Sequence, residues 1–245
     1  MKKIWIQSIL LAGMVVGLNS CIIDLDDDDF GGCRRGQGGR VEVFFDLPDF
    51  DGINLRMSGR VFLSQGPQQE VLVRGYDNLI DHLNTRVRNG IWEIDLDGCT
   101  RNPDDFTFFI TLPDIRHLEI TGAGDIISET VLTTNDIDLR IQGSGDIDLA
   151  LAVDDVFSRV SGSGDIFLEG QGDELFYEVS GSGELRAFDC AFNEVRIDVS
   201  GAGDSEVQVS DFLDVRISGS GDVFYRGTPD ISSNISGSGS VIDAN

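Results

Sequence analysis

Residues 158–168 read Ser158-Arg-Val-Ser-Gly-Ser-Gly-Asp-Ile-Phe-Leu168, with an alternating strand pattern on each side of a Gly-Ser-Gly turn. The phrase around this turn occurs seven times in the second half of the chain. The first glycines of the copies are spaced by 21, 19, 19, 20, 18 and 18 residues; they are Gly122, Gly143, Gly162, Gly181, Gly201, Gly219 and Gly237. A near-constant period of this length predicts a solenoid. Such a fold presents a long regular surface, which disfavours an ordinary pocket enzyme.

Apolar and polar residues alternate with period two before and after each turn, as in Leu118-Glu-Ile120 and Ile166-Phe-Leu168. This pattern places one set of side chains inside and the other in solvent. We predict an all-β fold, a single-stranded right-handed parallel β-helix with about 18–21 residues per coil. The apolar residue two positions before each first glycine should form one buried column: Ile120, Ile141, Val160, Val179, Val199, Ile217 and Ile235.

The turn glycines are expected to supply positive φ and to leave out side-chain bulk at a tight corner. The outward residue just before each strand end should form a solvated column: Glu119, Arg140, Arg159, Glu178, Asp198, Arg216 and Asn234. Neighbouring coils would then pair Glu119 with Arg140, Arg159 with Glu178, and Asp198 with Arg216.

An acid follows six of the turns, and these acids should stack at coil spacing: Asp125, Asp146, Asp165, Glu184, Asp204 and Asp222. Stacked like charges repel, so some interaction has to offset that repulsion. Acceptance of turn backbone N–H groups is the favoured interpretation. The alternative is a metal site in which a divalent cation such as Ca²⁺ bridges coils. No other cofactor is predicted.

The N-terminal residues have the pattern of a bacterial lipoprotein leader. Lys2 and Lys3 precede an apolar stretch, residues 4–18, that is short for a membrane span. Leu18-Asn-Ser-Cys21 then resembles a lipobox, so residues 1–20 are predicted to be a signal peptide and Cys21 the lipidated residue. Residues 21–39 are read as an acidic and glycine-rich tether, and their Asp26-Asp-Asp-Asp29 run resembles the surface-export signal of Bacteroidetes lipoproteins. The expected location is the outer membrane, lipid-anchored and surface-exposed.

Charge and cysteines agree with that location. The formal net charge is −25, and removal of a leader with two lysines and no acids gives about −27. Nucleic acid and anionic lipid are therefore poor partners by long-range electrostatics, which leaves cations, glycans and other proteins. Of the cysteines that remain besides Cys21, the pair Cys33 and Cys99 is favoured for a disulfide, and Cys190 reads as a core residue.

Residues 40–115 show the same alternation of apolar and polar residues less regularly. A helical turn is expected at 78–83 and a hairpin at Asn89-Gly90. We read residues 40–115 as first coils and an N-terminal cap, so that residues 40–245 form one domain. The order Ile53-Asn-Leu-Arg-Met, Val61-Phe-Leu-Ser-Gln-Gly66 and Trp92-Glu-Ile before the Gly-Ser-Gly-Asp coils resembles the auto-transporter adhesin, head-GIN domain family of Bacteroidetes. The resemblance implies a right-handed β-helix and a secreted or lipid-anchored product, and it brings no catalytic residues.

The function favoured by these features is a non-catalytic surface module with a structural or adhesive role, binding a glycan or a protein. One alternative is a polysaccharide-active β-helix enzyme, for which the chain offers only two histidines, His82 and His117, and evenly spread carboxylates. A divalent-cation-binding repeat protein is the other. Because the last turn is followed by barely one strand, we also expect the C-terminal coil to be frayed or covered by another molecule, with self-association into a homo-oligomer through that end as the hypothesis.

Overall fold

The computed structural model describes residues 33–101 and 106–245, which form a parallel β-solenoid as the repeat predicted. It has one short helix, α1 (Asp77–Ile80). The strands are β1 (Arg34–Arg35), β2 (Arg40–Phe44), β3 (Gly52–Leu55), β4 (Arg60–Gln65), β5 (Glu70–Tyr76), β6 (Val87–Arg88), β7 (Ile91–Ile94), β8 (Thr100–Arg101), β9 (Thr107–Leu112), β10 (His117–Ile120), β11 (Asp125–Ser128), β12 (Leu132–Ile141), β13 (Ile147–Val160), β14 (Ile166–Val179), β15 (Leu185–Val199), β16 (Ser205–Ile217), β17 (Val223–Arg226), β18 (Asp230–Ile235) and β19 (Val241–Asp243).

Each repeat coil crosses two sheet faces that meet at the Gly-x-Gly turn. The face before the turn stacks in parallel in the order β7, β3, β10, β12, β13, β14, β15, β16, β18. The face after the turn stacks in the order β9, β4, β11, β13, β14, β15, β16, β17, β19. The long strands β13 to β16 contribute to both faces, so each coil extends the same core by one layer.

The predicted apolar column before the turns is buried at six of its seven positions, from Ile120 through Ile217. The register extends this column into the front coils through Leu55 and Ile94. Burial of Ile235 was predicted wrongly, since its side chain is 43% exposed. Ile235 lies in β18, which pairs with β16 on one side, and no described strand covers its other side.

The front coils are interleaved rather than stacked in chain order. The coil of β3 and β4 pairs on one side with β7 and β9, and on the other with β10 and β11. The coil of β7 and β9, which is second along the chain, is therefore the outer one. The coil of β3 and β4, which is first, lies between it and the repeats. The front half is continuous with the solenoid, but its chain order differs from its stacking order.

Antiparallel strands and a helical turn close this outer end. On one face β5 pairs antiparallel with β9 and β2 with β5, and on the other a hairpin joins β6 to β7. The hairpin turn has positive φ at Asn89 (52°) and Gly90 (77°), as the Asn-Gly pair predicted. Beneath it Trp92 packs against Phe50 and Phe108, with ring centroids 5.7 and 5.9 Å away.

A disulfide joins Cys33 and Cys99, the pair favoured on sequence, across 66 residues. The residues that follow each cysteine form the two-stranded parallel sheet of β1 and β8. The compact unit that holds the solenoid begins at Cys33, so that β1 lies within the stretch read as tether. Cys190 is buried, and its burial raises the pKa of the thiol to about 12.

The turn glycines are required for a reason other than the one predicted. None of the glycines in the seven Gly-x-Gly turns has φ in the left-handed region, which overturns the expectation of positive φ. Instead, a Cβ on Gly164 would lie 1.9 Å from the carbonyl oxygen of Gly145, and one on Gly143 would lie 1.7 Å from that of Gly122. Consecutive turns thus stack backbone on backbone, which leaves no room for any side chain.

Candidate binding surfaces

The acids after the turns form a row in which most carboxylates accept a backbone N–H from the next coil. Oδ1 of Asp146 accepts from the N–H of Asp165, and Oδ1 of Asp165 from that of Glu184, both at 2.8 Å. Asp204 and Asp222 accept in the same way from Asp222 and Ser240, at 2.8 and 2.7 Å. These contacts offset the like-charge repulsion within the row, because each carboxylate is held by an amide dipole.

The metal alternative for this row finds no support in the geometry. In residues 33–101 and 106–245, no three Asp, Glu, His or Cys side chains are grouped as a cation would require. Asp146, Asp165, Asp204 and Asp222 each have Oδ1 engaged by a backbone N–H, and Glu184 is paired with Arg186. A calcium ion needs several oxygens within one sphere.

The outward column before the turns is stacked as predicted, but one of its three predicted ion pairs is absent. Arg159 contacts Glu178 at 2.7 Å, and Arg216 contacts Asp198 at 3.6 Å. Arg140 instead pairs with Asp138 on its own strand, at 2.6 Å. Glu119 accepts amide hydrogens from Asn54 and Gln142 at 2.8 and 2.6 Å, because these donors flank it on adjacent coils. The column is a solvated face of local pairs.

A groove of about 600 Å³ crosses the long strands midway, where each coil passes from the face after one turn to the face before the next turn. Equivalent positions on successive coils carry polar side chains there: Asn135, Asp154, Asp173 and Asn193. Asn193 Nδ2 donates to Asp173 Oδ1 at 2.9 Å, and Ser210 Oγ donates to Asn193 Oδ1 at 3.3 Å. We call these four residues the corner column.

Negative charge is concentrated beside the corner column. The pKa of Asp155 is raised, first because burial disfavours its charged form and then because Asp136, Asp154 and Asp173 repel it. Amides, carboxylates and the hydroxyls of Thr133 and Thr134 therefore line a groove that offers many acceptors and few cations. Such a lining suits a neutral ligand rich in hydroxyl groups.

The sequence analysis did not single out the corner column. Its members are spaced by 19, 19 and 20 residues, which is the period of the turns. That spacing was a usable signal, but the four positions lie between two paired stretches of each coil and interrupt the strict alternation. A polar residue that recurs at the repeat period away from the turn could have identified the groove.

A second groove of about 460 Å³ lies on the face before the turns. Phe157 and Phe176 stack in it with ring centroids 5.0 Å apart, and the guanidinium of Arg196 lies 5.0 Å from the Phe176 ring. Phe157 stays 42% exposed. The Phe176 ring is therefore stacked between Phe157 and Arg196, whereas one face of the Phe157 ring is left for contact with solvent or a ligand.

Histidine and carboxylates meet at one place among the described residues of the solenoid. His117 Nε2 lies 3.7 Å from Glu119 Oε2, and His117 Nδ1 lies 3.8 Å from Asp138 Oδ2. Glu119 is already engaged by two amide donors, and the imidazole Nε2 is buried without a hydrogen bond. His117 is thus packed between coils, which is the arrangement of a structural histidine and not of one that faces a substrate.

The predicted lipidation site Cys21 lies outside the described residues, as do the leader and the acidic run after it. Among the residues that the structure does describe, no helix has the length and apolar character of a membrane span.

Solved structures share this fold. A putative adhesin from Bacteroides fragilis superposes with a TM-score of 0.81 and 23% identity, covering 85% of this chain and 99% of its own. A putative lipid binding protein from Parabacteroides distasonis has a TM-score of 0.72 and 25% identity, covering 86% of this chain and 99% of its own. A putative adhesin from Parabacteroides merdae has a TM-score of 0.69 and 19% identity, covering 86% of this chain and 98% of its own.

No curated protein matches the sequence. Residues 49–229 match the family described as "Putative auto-transporter adhesin, head GIN domain", and this match covers most of the solenoid. The recognition made from the strand order and the Gly-Ser-Gly-Asp coils is confirmed by this match. The chain belongs to the auto-transporter adhesin, head GIN domain family.

Proposed function

We propose that this protein is a non-catalytic binding module of the cell surface, held at the outer membrane by a lipid on Cys21. The domain that binds spans residues 33–245, behind a signal peptide (1–20) and a tether (21–32). Membership of an adhesin-type family and the open, regular grooves of the solenoid support a role in binding.

The ligand that the corner groove fits best is a glycan. The observation that carries this proposal is the corner column, which repeats amide and carboxylate groups on successive coils about 4.8 Å apart. An extended chain of sugars presents hydroxyl groups repeatedly along its length, and planar amides and carboxylates can pair with two of them at once. The strong negative charge disfavours an acidic polysaccharide, so the proposed class is a neutral glycan.

A glycan array with the full chain tests this proposal, and Asp173→Ala is the informative variant. We expect about tenfold weaker binding, because the variant removes an acceptor from the groove and leaves Nδ2 of Asn193 without its acceptor. Asp189→Ala removes an exposed acid outside this groove and serves as the charge-matched control. Equal loss in both variants would indicate a general charge effect and contradict a specific site. The screen should include lipids, since one solved relative is described as lipid binding.

The polysaccharide-active alternative makes a different prediction for the same sample. An enzyme would convert any glycan that it binds into shorter products, whereas a binding module returns it intact. We expect no new reducing ends and no unsaturated sugars after prolonged incubation with the array hits. Turnover that Asp173→Ala abolishes would replace the binding proposal with a catalytic one.

Anchoring through Cys21 is tested by Cys21→Ala in cells. The variant should leave the precursor uncleaved or release the protein from the membrane, because it lacks the thiol that receives the lipid. Detergent-phase separation and the mass of the mature N-terminus report the result, and Cys190→Ala is the control. Unchanged partition of Cys21→Ala would count against lipidation.

Self-association through the last coil remains a proposal. Ile231 and Ile235 are 44% and 43% exposed, on a strand that pairs with β16 on one side only among the described strands. Edge strands with exposed apolar residues favour pairing with a second copy. Light scattering of the full chain in detergent, with and without Ile235→Lys, tests this contact. A monomer in both cases across a wide concentration range would rule it out.

A further inference from the structure

An apolar row lies on the outside of the front coils, on the face after the turns. Five consecutive strands place one outward apolar residue each in register: Phe44, Leu72, Phe109, Phe62 and Ile127, which we call the front apolar row. Its length is about 19 Å at 4.8 Å per strand. Phe44 is 67% exposed. The Phe62 and Phe109 rings stack 5.5 Å apart, and no member belongs to the core cluster or packs against it.

The same row changes character in the repeat coils. Beyond Ile127 its next members, in register, are Asp148, Phe167, Arg186, Glu206 and Phe224. Charged residues interrupt it there, and Arg186 lies over the Phe167 ring at 5.2 Å. The outer side of a solenoid normally faces water, so an uninterrupted apolar row at one end indicates a surface that contacts a membrane or another molecule.

The net charge also differs between the front end and the repeat coils. Residues 33–105 carry nine arginines and twelve acids, whereas residues 106–245 carry seven arginines and twenty-six acids. The front end is therefore much less anionic than the rest of the solenoid. The overall charge of −25, from which anionic lipid was judged a poor partner, hides this difference. A weakly charged apolar end can approach a zwitterionic surface that the anionic body would gain nothing by touching.

The covalent chain brings the same end close to a membrane, given the anchor proposed above. Cys33 is fixed to the front coils by its disulfide with Cys99. Only eleven residues lie between Cys21 and Cys33, so a lipid on Cys21 keeps Cys33 within about 40 Å of the bilayer even if the tether is fully extended. The front end is the part of the solenoid that this tether holds nearest to lipid.

We propose that the front apolar row is a membrane-contact surface that rests in the headgroup region of a zwitterionic phospholipid bilayer. The apolar side chains would enter the boundary between headgroups and acyl chains, by about 5–10 Å. Arg60 and Arg74 flank the row, and Arg74 lies over the Phe109 ring at 5.4 Å. Arg74 is paired with Glu42, and Arg60 lies 3.8 Å from Asp125, so these two arginines reach lipid phosphates only by exchanging those partners. The contact tilts the solenoid so that its anionic coils point away from the membrane.

A fluorescent label placed at either end of the row tests the contact. Phe44→Cys and Ile242→Cys put a bimane on the first and last strands of the same outward row. The buried Cys190 should not react with the label. The full-length protein is incorporated into phosphatidylcholine vesicles that contain doxyl lipid. We expect a blue-shifted, strongly quenched label at position 44 and an unquenched label at position 242. Equal quenching at both positions, or none at position 44, overturns the proposal.

A second pair of variants separates the row from general adhesion. Phe62→Glu in the labelled Phe44→Cys protein should reduce the quenching about tenfold, since a charge in the row opposes insertion. Phe224→Glu, in the same row at the far end, should leave it unchanged. A blue shift at position 44 that grows with protein concentration without vesicles would instead identify a second copy as the occupant. Mass spectrometry of the sample shows whether Cys21 carries lipid, so that a failed anchor and a failed contact are told apart.

Discussion

The repeat coils and the front coils build one continuous solenoid in two different ways. In the repeats, the turns stack backbone on backbone, and a Cβ on Gly143 or Gly164 would overlap the carbonyl of the coil before it. In the front coils, the chain is interleaved, the outer end is closed by antiparallel strands, and an aromatic cluster around Trp92 fills the centre. The repeats are therefore stabilised by close stacking of similar turns, and the front coils by pairing between strands distant in the chain. We expect substitutions in the two regions to destabilise the protein by different amounts and in different places.

The largest effect is expected for Gly164→Val in the repeats. The valine side chain would meet the Gly145 carbonyl oxygen, whose distance to a Cβ is 1.9 Å, so that two coils have to separate locally. We expect a loss of about 4 kcal/mol in the free energy of unfolding, or failure to fold. Ser163→Val is the matched control, because Ser163 is the exposed middle residue of the same turn. Urea unfolding measures both variants, and equal midpoints would contradict the close-stacking explanation.

The disulfide tests the front coils by a different route. Replacing Cys33 and Cys99 with alanine removes a link across 66 residues, and we expect a loss of about 3 kcal/mol. Because the link lies at the front end, hydrogen exchange should quicken in β3 and β7 before it does in β14 and β15. Cys190→Ala is the control for thiol loss. Uniform quickening along the solenoid would mean that the two regions unfold as one unit and would remove the distinction drawn here.

The smallest expected effect concerns the charged corner of the repeats. The pKa of Asp155 is higher in the folded than in the unfolded protein, so its ionised form lowers the free energy of unfolding at neutral pH. This cost decreases as the pH falls through the folded-state pKa, and it is gone below the unfolded-state pKa. Asp155→Asn should therefore stabilise the protein at neutral pH by about 0.5 kcal/mol or less. The gain should vanish below the ordinary aspartate pKa. Asp189→Asn is the control, and thermal melts across pH would contradict the prediction if both variants behave alike.

The sequence was sufficient for the features that repeat locally. The period of the turns, the alternation and the Asn89-Gly90 hairpin predicted the solenoid, the core column and the front turn, because each depends on neighbours within one coil. The cause of the turn glycines was predicted wrongly, since a glycine required for φ and one required for space look alike in a sequence. Ile235 fits the buried column by its position in the repeat, and only the absence of a covering strand among those described shows that it is exposed.

Features that depend on pairing between residues distant in the chain could not be predicted from the sequence. The interleaved front coils require β3 to pair with β10, which no local pattern encodes. Glu119 was assigned to Arg140 because their stacking was predicted, but the amides of Asn54 and Gln142 compete for the carboxylate. The corner column and the front apolar row became visible only once the register was known, since both consist of residues from several coils.

The interleaving also sets an order on folding during synthesis. In the repeats, a strand meets its partner after about 18–21 residues, so each coil can add to the one before it as the chain emerges. Gly52, however, pairs with His117, so the coil made first waits for 65 more residues before both of its sides are covered. The front end is therefore begun early and completed late. Removal of the last coil would leave the pairing of the earlier coils intact, whereas removal of β10 would leave one side of β3 uncovered.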